Sequence, residues 1–399
     1  MSTASRMRWF ETVSATLAVA AIALAACSDG NDASGDDDLL RPFSWTLPPG
    51  FAEPVVPADN PMSYAKIELG RHLFYDQRLS GTGNFSCASC HEQARAFTDG
   101  KPVGIGATGE AHPRNSMSLA NAGYNAAINW SNPVVTRLEQ QALIPMFGEH
   151  PVELGLAGME DELLATLGAD TTYQRLFGLS FPGDVAPVSL GNVTKALATF
   201  QRALVSGNSP YDRYRYQGQP GAISASAKRG EDLFFSERLE CFHCHSGFNL
   251  TAAATYVGKP FTERAFFNNG LYNIDGAGAY PAPNVGLIEF TGRPDDMGKF
   301  KAPTLRNIAV TAPYMHDGSI ATLDEVLDHY AAGGRTIASG PNAGDGSASP
   351  LKDGFVLGFT LTSQERADVL AFLESLTDET FLTDARFANP WPAGSPARP

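Results

Sequence analysis

The segment Cys-Ala-Ser-Cys-His at residues 87–91 recurs with the same spacing as Cys-Phe-His-Cys-His at residues 241–245. In a Cys-x-x-Cys-His segment, each thiol can add to one vinyl group of the same porphyrin, and the histidine that follows is held beneath the iron as an axial ligand. Together the two segments use four of the five cysteines of the 399-residue chain. The sequence therefore predicts two covalently bound haems c. The predicted attachment residues are Cys87, Cys90, His91, Cys241, Cys244 and His245.

Other interpretations of the paired cysteines fit this pattern less well. An even number of cysteines in an exported protein commonly indicates disulfides, and a Cys-x-x-Cys pair can also bind zinc or exchange disulfides. None of these uses requires a histidine directly after each second cysteine. His243, inside the second segment, is expected to be a spacer rather than a ligand.

The residues before each segment are also similar, which indicates an internal duplication. ELGRHLFYDQRLS at 68–80 precedes the first segment, and KRGEDLFFSERLE at 228–240 precedes the second. Apolar residues recur at helical spacing, whereas strand-like alternation is scarce. The fold is predicted to be mainly α, with two cytochrome c domains, at 42–215 and 216–399, each wrapped round one haem with long loops. Helices are predicted at 64–75, 188–204, 226–235, 323–332 and 363–376.

The start of the chain has the features of a bacterial secretion signal. Residues 1–27 combine a short basic stretch, an apolar run too short to cross a bilayer, and Cys27 behind Leu-Ala-Ala. The pattern predicts a lipoprotein signal peptide, a lipid anchor on Cys27 and a location on the periplasmic side of the outer membrane. An ordinary cleaved signal is the alternative. Residues 28–41 are small and acidic, which predicts a flexible tether.

The composition restricts the classes of partner. The chain is 43% hydrophobic and 18% charged, which is typical of a folded globular protein. Its formal net charge of −14 disfavours binding to nucleic acid and favours basic protein partners.

From about residue 60 to residue 380, the sequence resembles the bacterial di-haem cytochrome c peroxidase and MauG family. The stretches that carry the resemblance, in the family's order, are ELGRHLFYDQRLS, CASCH, PRNSMSLANA, CFHCHSG and KAPTLRNIAVTAPYMHDGSIATLDEVLDHYAAGG. The chain is most similar to the MauG-like MbnH type. This resemblance implies a haem-dependent oxidoreductase that acts on hydrogen peroxide.

Within the family, the sixth ligand of each iron decides the chemistry. At the second haem, the residue that matches the peroxidases' methionine is Tyr330, and MauG-like members have a tyrosine ligand there. Met315 and Met297 are alternative ligands, and a tyrosine buried only for packing is a further interpretation. At the first haem, the position of the peroxidases' displaceable histidine matches Ala107, which implies an open iron, although His112 nearby could bind it.

The resemblance also implies catalytic residues and a calcium site. Gln141 and Glu153 match the distal amide and carboxylate that move a proton when peroxide is split, and Glu149 is the weaker alternative to Glu153. Trp130 matches the tryptophan that lies between the two haems. The residues that match the family's calcium site are Asn115 and the backbone carbonyls of Thr311 and Pro313, and oxygen ligands of this kind suit Ca²⁺.

Taken together, the resemblance implies a MauG-like enzyme that uses peroxide to form a high-valent di-haem state. It would then oxidise residues, tryptophan among them, of a periplasmic or outer-membrane partner protein. One alternative is a cytochrome c peroxidase that takes electrons from a small cytochrome or copper protein. Another is an electron carrier without enzymatic activity. Because no tryptophan stands beside Cys241, the sequence leaves the route for oxidising equivalents to a partner open.

Overall fold

The computed structural model describes residues 33–398, and these form helices with very little sheet. The helices are α1 (Ala33–Leu40), α2 (Tyr64–Tyr75), α3 (Leu138–Gln141), α4 (Leu143–Phe147), α5 (Glu160–Ala169), α6 (Thr171–Ser180), α7 (Leu190–Ala203), α8 (Pro210–Tyr216), α9 (Ala225–Phe234), α10 (Ile288–Thr291), α11 (Leu323–Ala331), α12 (Ser363–Glu374) and α13 (Glu379–Thr383). Two short antiparallel pairs join β1 (Phe266–Phe267) to β2 (Phe300–Lys301) and β3 (Thr336–Ile337) to β4 (Gly344–Asp345). The prediction of a mainly α fold is confirmed. Within residues 33–398, no helix is long and apolar enough to span a bilayer.

The five predicted helices are present as α2, α7, α9, α11 and α12, with ends that differ by at most two residues. Helix α11 shows why the sequence defines its limits. The Thr322 hydroxyl accepts a hydrogen bond from the Glu325 N–H at 3.2 Å, and the Glu325 carboxylate accepts one from the Thr322 N–H at 2.9 Å. Gly333, at φ +72°, follows the last turn and ends the helix.

The internal duplication is visible as two similar helix pairs. Helix α2 packs against α7, and α9 packs against α12. A Cβ atom on Gly70 of α2 would lie 2.0 Å from the backbone oxygen of Ala196. A Cβ atom on Gly230 of α9 would lie 1.9 Å from the backbone oxygen of Asp368. The glycine shared by the two repeated sequences therefore permits the same close helix contact in each half.

The two largest hydrophobic cores of the described residues correspond to the two halves, and contacts in both cross the predicted division at residues 215 and 216. That division falls within α8, whose Tyr211 already packs in the second core with Phe372. In addition, residues 381–397 return to the first core, where the Trp391 indole N–H donates to the backbone oxygen of His72 at 2.9 Å. Trp391 and His72 are 319 positions apart, so local sequence patterns do not reveal their contact.

The second part of the predicted tether, residues 28–41, contains a helix. Residues 33–40 form α1, Leu39 packs against the first core, and Asp36 forms an ion pair with Arg175. The free energy gained by burying the Leu39 side chain against the core outweighs the tendency of this acidic segment to remain unfolded. The signal peptide, Cys27 and residues 28–32 lie outside the described residues.

A buried ion pair connects α8 to the chain that follows the second Cys-x-x-Cys-His segment. The Arg306 guanidinium donates to both carboxylate oxygens of Asp212, at 2.9 and 2.8 Å, and to the backbone oxygen of Phe248. It also lies 4.6 Å from the ring centre of Phe51. Both charged side chains are almost fully buried. Because a buried charge without a counter-charge strongly destabilises a fold, Arg306 and Asp212 each require the other.

Replacing Arg306 by methionine should lower the free energy of unfolding by about 3–5 kcal/mol, because Asp212 would remain buried without a counter-charge. Chemical denaturation of the haem-loaded protein measures this change. The control is Arg386→Met, which removes an ion pair between an exposed arginine and Asp384 and should cost less than about 1 kcal/mol. Equal losses in the two variants would contradict the structural role given to Arg306.

Candidate functional site

Two cavities open beside the two Cys-x-x-Cys-His segments. The first cavity, of about 780 Å³, is lined by Cys87, Cys90 and His91. The second cavity, of about 190 Å³, is lined by the equivalent residues at 241, 244 and 245. Pockets for small ligands usually measure about 300–1,000 Å³. The first cavity therefore has room for a bulky group, whereas the second is narrower.

Each segment begins with a short 3-10 turn and presents its histidine to its cavity in the same way. The Nδ1 atom of His91 lies 2.7 Å from the backbone oxygen of Phe97, and that of His245 lies 3.2 Å from the backbone oxygen of Leu250. Since a carbonyl only accepts, Nδ1 carries the proton and Nε2 keeps its lone pair. Burial lowers the pKa of both rings, that of His245 to about 4. Both histidines are neutral and suited to binding iron.

The cysteines behave as anchoring residues rather than as a redox pair. All four are free thiols in this structure. Burial raises the pKa of Cys87 and Cys241 to about 12, and that of Cys90 to about 11. Reactive or zinc-binding cysteines need a lowered pKa, so the surroundings disfavour both alternatives. His243 lies outside the cavity wall, where its ring stacks on Phe355 and its Nε2 is 2.7 Å from a Glu240 carboxylate oxygen.

A buried cation in the second cavity supports the fit of a haem. Lys301 is only 2% exposed, and burial lowers its pKa to about 7. Within residues 33–398 it has no acidic partner, which is a costly arrangement for a lysine. A haem would bring two propionate carboxylates to the cavity. With the thiols and the histidine Nε2, the residues present therefore fit the group that the sequence predicts.

Tyr330 and Met315 both line the second cavity. Tyr330 projects from α11 together with its apolar neighbours Leu323, Val326 and Leu327, as the helical spacing predicts. Burial raises the pKa of Tyr330 well above its usual value, so its phenol stays neutral unless a positive charge occupies the cavity.

The side-chain amide of Asn269 contacts both candidate ligands of the second cavity. It donates to the Met315 sulfur at 3.3 Å and lies near enough to the Tyr330 hydroxyl to lower the pKa of that phenol slightly against the effect of burial. The third candidate, Met297, does not line the cavity and packs among the aromatic residues of the second half.

The first cavity brings together Gln141, Glu153 and a residue that the sequence analysis treated only as an alternative iron ligand, His112. Burial raises the pKa of Glu153 to about 7. The Nδ1 atom of His112 lies 3.0 Å from the Arg114 backbone nitrogen and 3.2 Å from the Arg114 backbone oxygen, and its Nε2 atom lies 3.9 Å from a Glu153 oxygen. Either ring nitrogen can therefore carry the proton. His112 lies beside Glu153, and its role as an iron ligand stays an alternative.

The other candidates at the first cavity lie off its wall. Ala107 is not a lining residue and donates its N–H to the backbone oxygen of Glu153 at 2.7 Å. Glu149 is exposed and also does not line the cavity. The geometry thus favours Glu153 over Glu149. The only sequence signal for His112 is its place just before the Pro-Arg-Asn stretch, and nothing local indicates its contact with Glu153.

Trp130 lines both cavities. Its indole N–H donates to the backbone oxygen of Asn115 at 2.9 Å, and its own backbone oxygen accepts from the Lys301 N–H at 2.7 Å. These bonds fix the ring in the wall that the two halves share. An oxidisable indole at this position has access to whatever occupies either cavity.

The predicted calcium ligands lie near the same junction. The Asn115 amide nitrogen donates to the backbone oxygen of Lys101 at 2.7 Å, and the Asn115 N–H donates to the backbone oxygen of His316 at 2.8 Å. The oxygens of Asn115, Thr311 and Pro313 are neutral, so they supply the hard atoms that Ca²⁺ prefers but no negative charge. Calcium binding here stays a prediction.

Comparisons with known proteins agree with this geometry. The family described as di-haem cytochrome c peroxidase matches residues 64–220. The methylamine utilization protein MauG of Methylorubrum extorquens is 34% identical over 325 residues, 81% of each chain. The cytochrome-c peroxidase IdrP1 of Denitromonas iodatirespirans is 33% identical and covers 93% of this chain and 94% of its own. Among solved structures, a MauG-like protein associated with microbial copper homeostasis is 51% identical, with a TM-score of 0.86 over 88% of this chain and 100% of its own.

Replacing both cysteines of one segment by serine should remove one covalent haem and leave the other. Mass spectrometry of the intact protein and the absorbance of its alkaline pyridine derivative measure the number of haems per chain. We expect two in the unmodified protein and one each in Cys87→Ser/Cys90→Ser and Cys241→Ser/Cys244→Ser. Two haems retained in either variant would contradict the assignment of that cavity.

Proposed function

The chain belongs to the di-haem cytochrome c peroxidase and MauG family, and from this premise we propose that it uses hydrogen peroxide to oxidise residues of a partner protein. As a family member, it is a haem-dependent oxidoreductase that acts on peroxide. When bound, the two haems supply the reaction with peroxide and hold its two oxidising equivalents. What distinguishes protein oxidation from simple peroxide removal is the destination of those equivalents.

The observation that carries the proposal is Tyr330 on the wall of the second cavity. A tyrosine phenolate is a hard, anionic ligand that favours oxidised iron, whereas a methionine thioether favours reduced iron and raises the potential. A peroxidase that collects electrons from a donor protein needs a site with the methionine ligand, which favours reduced iron. A site with Tyr330 as ligand is poorly suited to storing an incoming electron and well suited to holding oxidising equivalents.

In the first cavity, three side chains have the properties needed to handle the protons of peroxide. With a pKa near 7, the Glu153 carboxylate can accept a proton at neutral pH and return it to the leaving oxygen. The His112 Nε2 atom lies 3.9 Å from a Glu153 oxygen and can supply or take up the proton of that carboxyl group. Gln141 offers an amide on the same wall.

Trp130 completes the arrangement because it borders both cavities. Its indole can exchange an electron with either side, which would let oxidising equivalents produced at the first cavity be shared with the second. The hydrogen bond from its N–H to Asn115 holds the ring in that position. Calcium bound by Asn115 and the carbonyls of Thr311 and Pro313 would hold the same junction.

The proposed partner is a protein on the periplasmic side, with a basic face that suits the formal net charge of −14. The signal-like start and Cys27 support a lipid anchor on the outer membrane. One structural relative is described as MauG-like and associated with microbial copper homeostasis. We propose that tryptophan is among the residues that this chain oxidises in its partner.

Met315 supports a second candidate function. Its sulfur lies on the wall of the same cavity as Tyr330. If Met315 rather than Tyr330 bound the second iron, the site would favour reduced iron, and the chain would act as a peroxidase that takes electrons from a small cytochrome or copper protein. The two functions therefore differ in a single ligand.

Exchanging Tyr330 for methionine distinguishes the two functions. For the unmodified protein, we expect slow oxidation of a reduced small cytochrome c by peroxide. Without a donor, we expect a long-lived oxidised spectrum that decays as tyrosine and tryptophan residues of the protein gain oxygen, detected by peptide mass spectrometry. Tyr330→Met should accelerate cytochrome oxidation by about tenfold or more. A methionine ligand raises the potential of the haem, and each increase of about 60 mV makes the equilibrium constant for transfer of one electron about ten times more favourable. Fast cytochrome oxidation by the unmodified protein, unchanged in Tyr330→Met, would support the peroxidase instead.

Glu153→Gln should slow the reaction with peroxide by about 10²–10⁴-fold, because an amide cannot accept the proton. In the unmodified protein, the rate should rise as pH increases through about 7, where the Glu153 carboxyl loses its proton. The variant should lack this step. Stopped-flow absorbance at the haem bands measures both rates.

Glu149→Gln is the matched control, because Glu149 is an exposed glutamate four residues away that does not line the cavity. Its rate and pH profile should equal those of the unmodified protein. A large effect of Glu149→Gln, or an unchanged pH step in Glu153→Gln, would show that Glu153 is not the proton acceptor.

A further inference from the structure

We propose that Tyr280 and Tyr272 carry oxidising equivalents out of the second cavity, and that Asp317 accepts the proton at the end of this path. The inference rests on the proposed function, because peroxide has to supply the oxidising equivalents. It names the exit route that the sequence leaves open, since no tryptophan stands beside Cys241.

The path begins directly behind the wall of the second cavity. Phe300 and His316 both line the cavity, and their rings are stacked with centres 3.7 Å apart. The ring of Tyr280 lies 6.2 Å from each of them. The Tyr280 hydroxyl donates to the amide oxygen of Asn268, and the next residue, Asn269, donates to the sulfur of Met315 in the cavity wall. Tyr280 is thus the first readily oxidised side chain behind this part of the wall.

Tyr272 is the next oxidisable ring. Its centre lies 5.4 Å from that of Tyr280, and the two planes are inclined at 76°. Both tyrosines are buried, at 5% and 3% exposure, so water does not compete for them. Two phenols at this spacing permit an electron to move in short steps, each between neighbouring side chains.

The proton acceptors of the two tyrosines differ, and this gives the path a direction. The Tyr280 hydroxyl donates to the amide oxygen of Asn268 at 2.8 Å, and an amide is not a useful base. The Tyr272 hydroxyl donates to a carboxylate oxygen of Asp317 at 2.6 Å. Oxidation makes a phenol strongly acidic, so the oxidised form is stabilised where a carboxylate can take the proton. Oxidising equivalents should therefore pass Tyr280 and settle on Tyr272.

In this step, one electron leaves Tyr272 through Tyr280 toward the second cavity, and the phenol proton moves to Asp317. The products are a neutral tyrosyl radical and a carboxylic acid. Peroxide is the terminal oxidant, and each molecule takes up two electrons and two protons to become two waters, so it supports two such steps. An oxidisable residue of the partner then returns one electron to Tyr272, Asp317 gives the proton back to the phenol oxygen, and the proton lost by the partner residue is released to water.

A second buried tyrosine in the same half makes a contact of the same kind without such a path. The Tyr211 hydroxyl donates to a Glu231 carboxylate oxygen at 3.1 Å. However, Tyr211 is separated from the cavity by Phe372, whose ring centre is 5.4 Å away, and by Phe234 in the wall. Two phenylalanine rings therefore lie between Tyr211 and the cavity, whereas a single layer, formed by Phe300 and His316, lies between the cavity and Tyr280. Because electron transfer slows steeply with distance, Tyr211 is the poorer electron donor to the cavity and provides a matched control.

The test uses the haem-loaded protein without a partner, treated with one equivalent of peroxide and frozen within seconds for EPR spectroscopy. We expect an organic radical whose hyperfine pattern changes when the protein is produced with ring-deuterated tyrosine. Tyr272→Phe and Asp317→Asn should each lower the radical yield by about tenfold or more. The loss of a charge-assisted hydrogen bond changes an equilibrium constant by about this factor. Tyr211→Phe should leave the yield unchanged.

The outcomes separate this inference from the proposed function. If the haem spectrum responds to peroxide but no tyrosyl radical forms, or if Tyr272→Phe and Asp317→Asn keep the full yield, the path is overturned while the proposed function stands. If the haem spectrum does not respond to peroxide, both fail. The number of haems per chain and the unfolding midpoint establish that each variant is folded, and Asp317→Asn alone decides the question if Tyr272→Phe does not fold.

Discussion

The rest of the structure depends on two histidine rings that are each held by a backbone carbonyl. In both halves, Nδ1–H donates to a backbone oxygen, that of Phe97 for His91 and that of Leu250 for His245, and this leaves Nε2 as the free ring nitrogen. Burial lowers the pKa of both rings and keeps them neutral. The helix pairs α2–α7 and α9–α12, each with a glycine at its closest contact, form matching frames around these rings. A chain built this way leaves cavities that its own side chains do not fill, and one of them holds the unpaired cation Lys301. The missing part of each core is therefore a group that brings its own apolar surface and its own negative charge.

The duplicated halves differ on the side of the cavity opposite the histidine, and this difference gives the molecule a direction. The first cavity presents two groups that can handle protons, Glu153 and His112. The second cavity presents Tyr330 and Met315, which are candidate ligands rather than acids or bases. Trp130 belongs to both walls. Peroxide chemistry at one site and storage of oxidising equivalents at the other follow from this division in the proposed function.

Local patterns in the sequence were sufficient for the features that depend on neighbouring residues. The Cys-x-x-Cys-His spacing, the capping box of α11 and the apolar face that includes Tyr330 could all be predicted, because each is set within a few turns of chain. Features that depend on distant contacts could not. The return of Trp391 to the first core and the contact of Leu39 with that core have no periodic signal. The pairing of His112 with Glu153 and the Tyr280, Tyr272 and Asp317 series join loops whose approach is set by the whole fold.

In the proposed function, the first haem is open to peroxide while Tyr330 closes the second. EPR spectroscopy of the oxidised protein as isolated, compared with the variant Cys87→Ser/Cys90→Ser, tests this difference between the two haems. We expect one high-spin and one low-spin ferric signal in the unmodified protein, with the high-spin signal absent from the variant. Two low-spin signals in the unmodified protein, or a high-spin signal that survives in the variant, would contradict the proposed function.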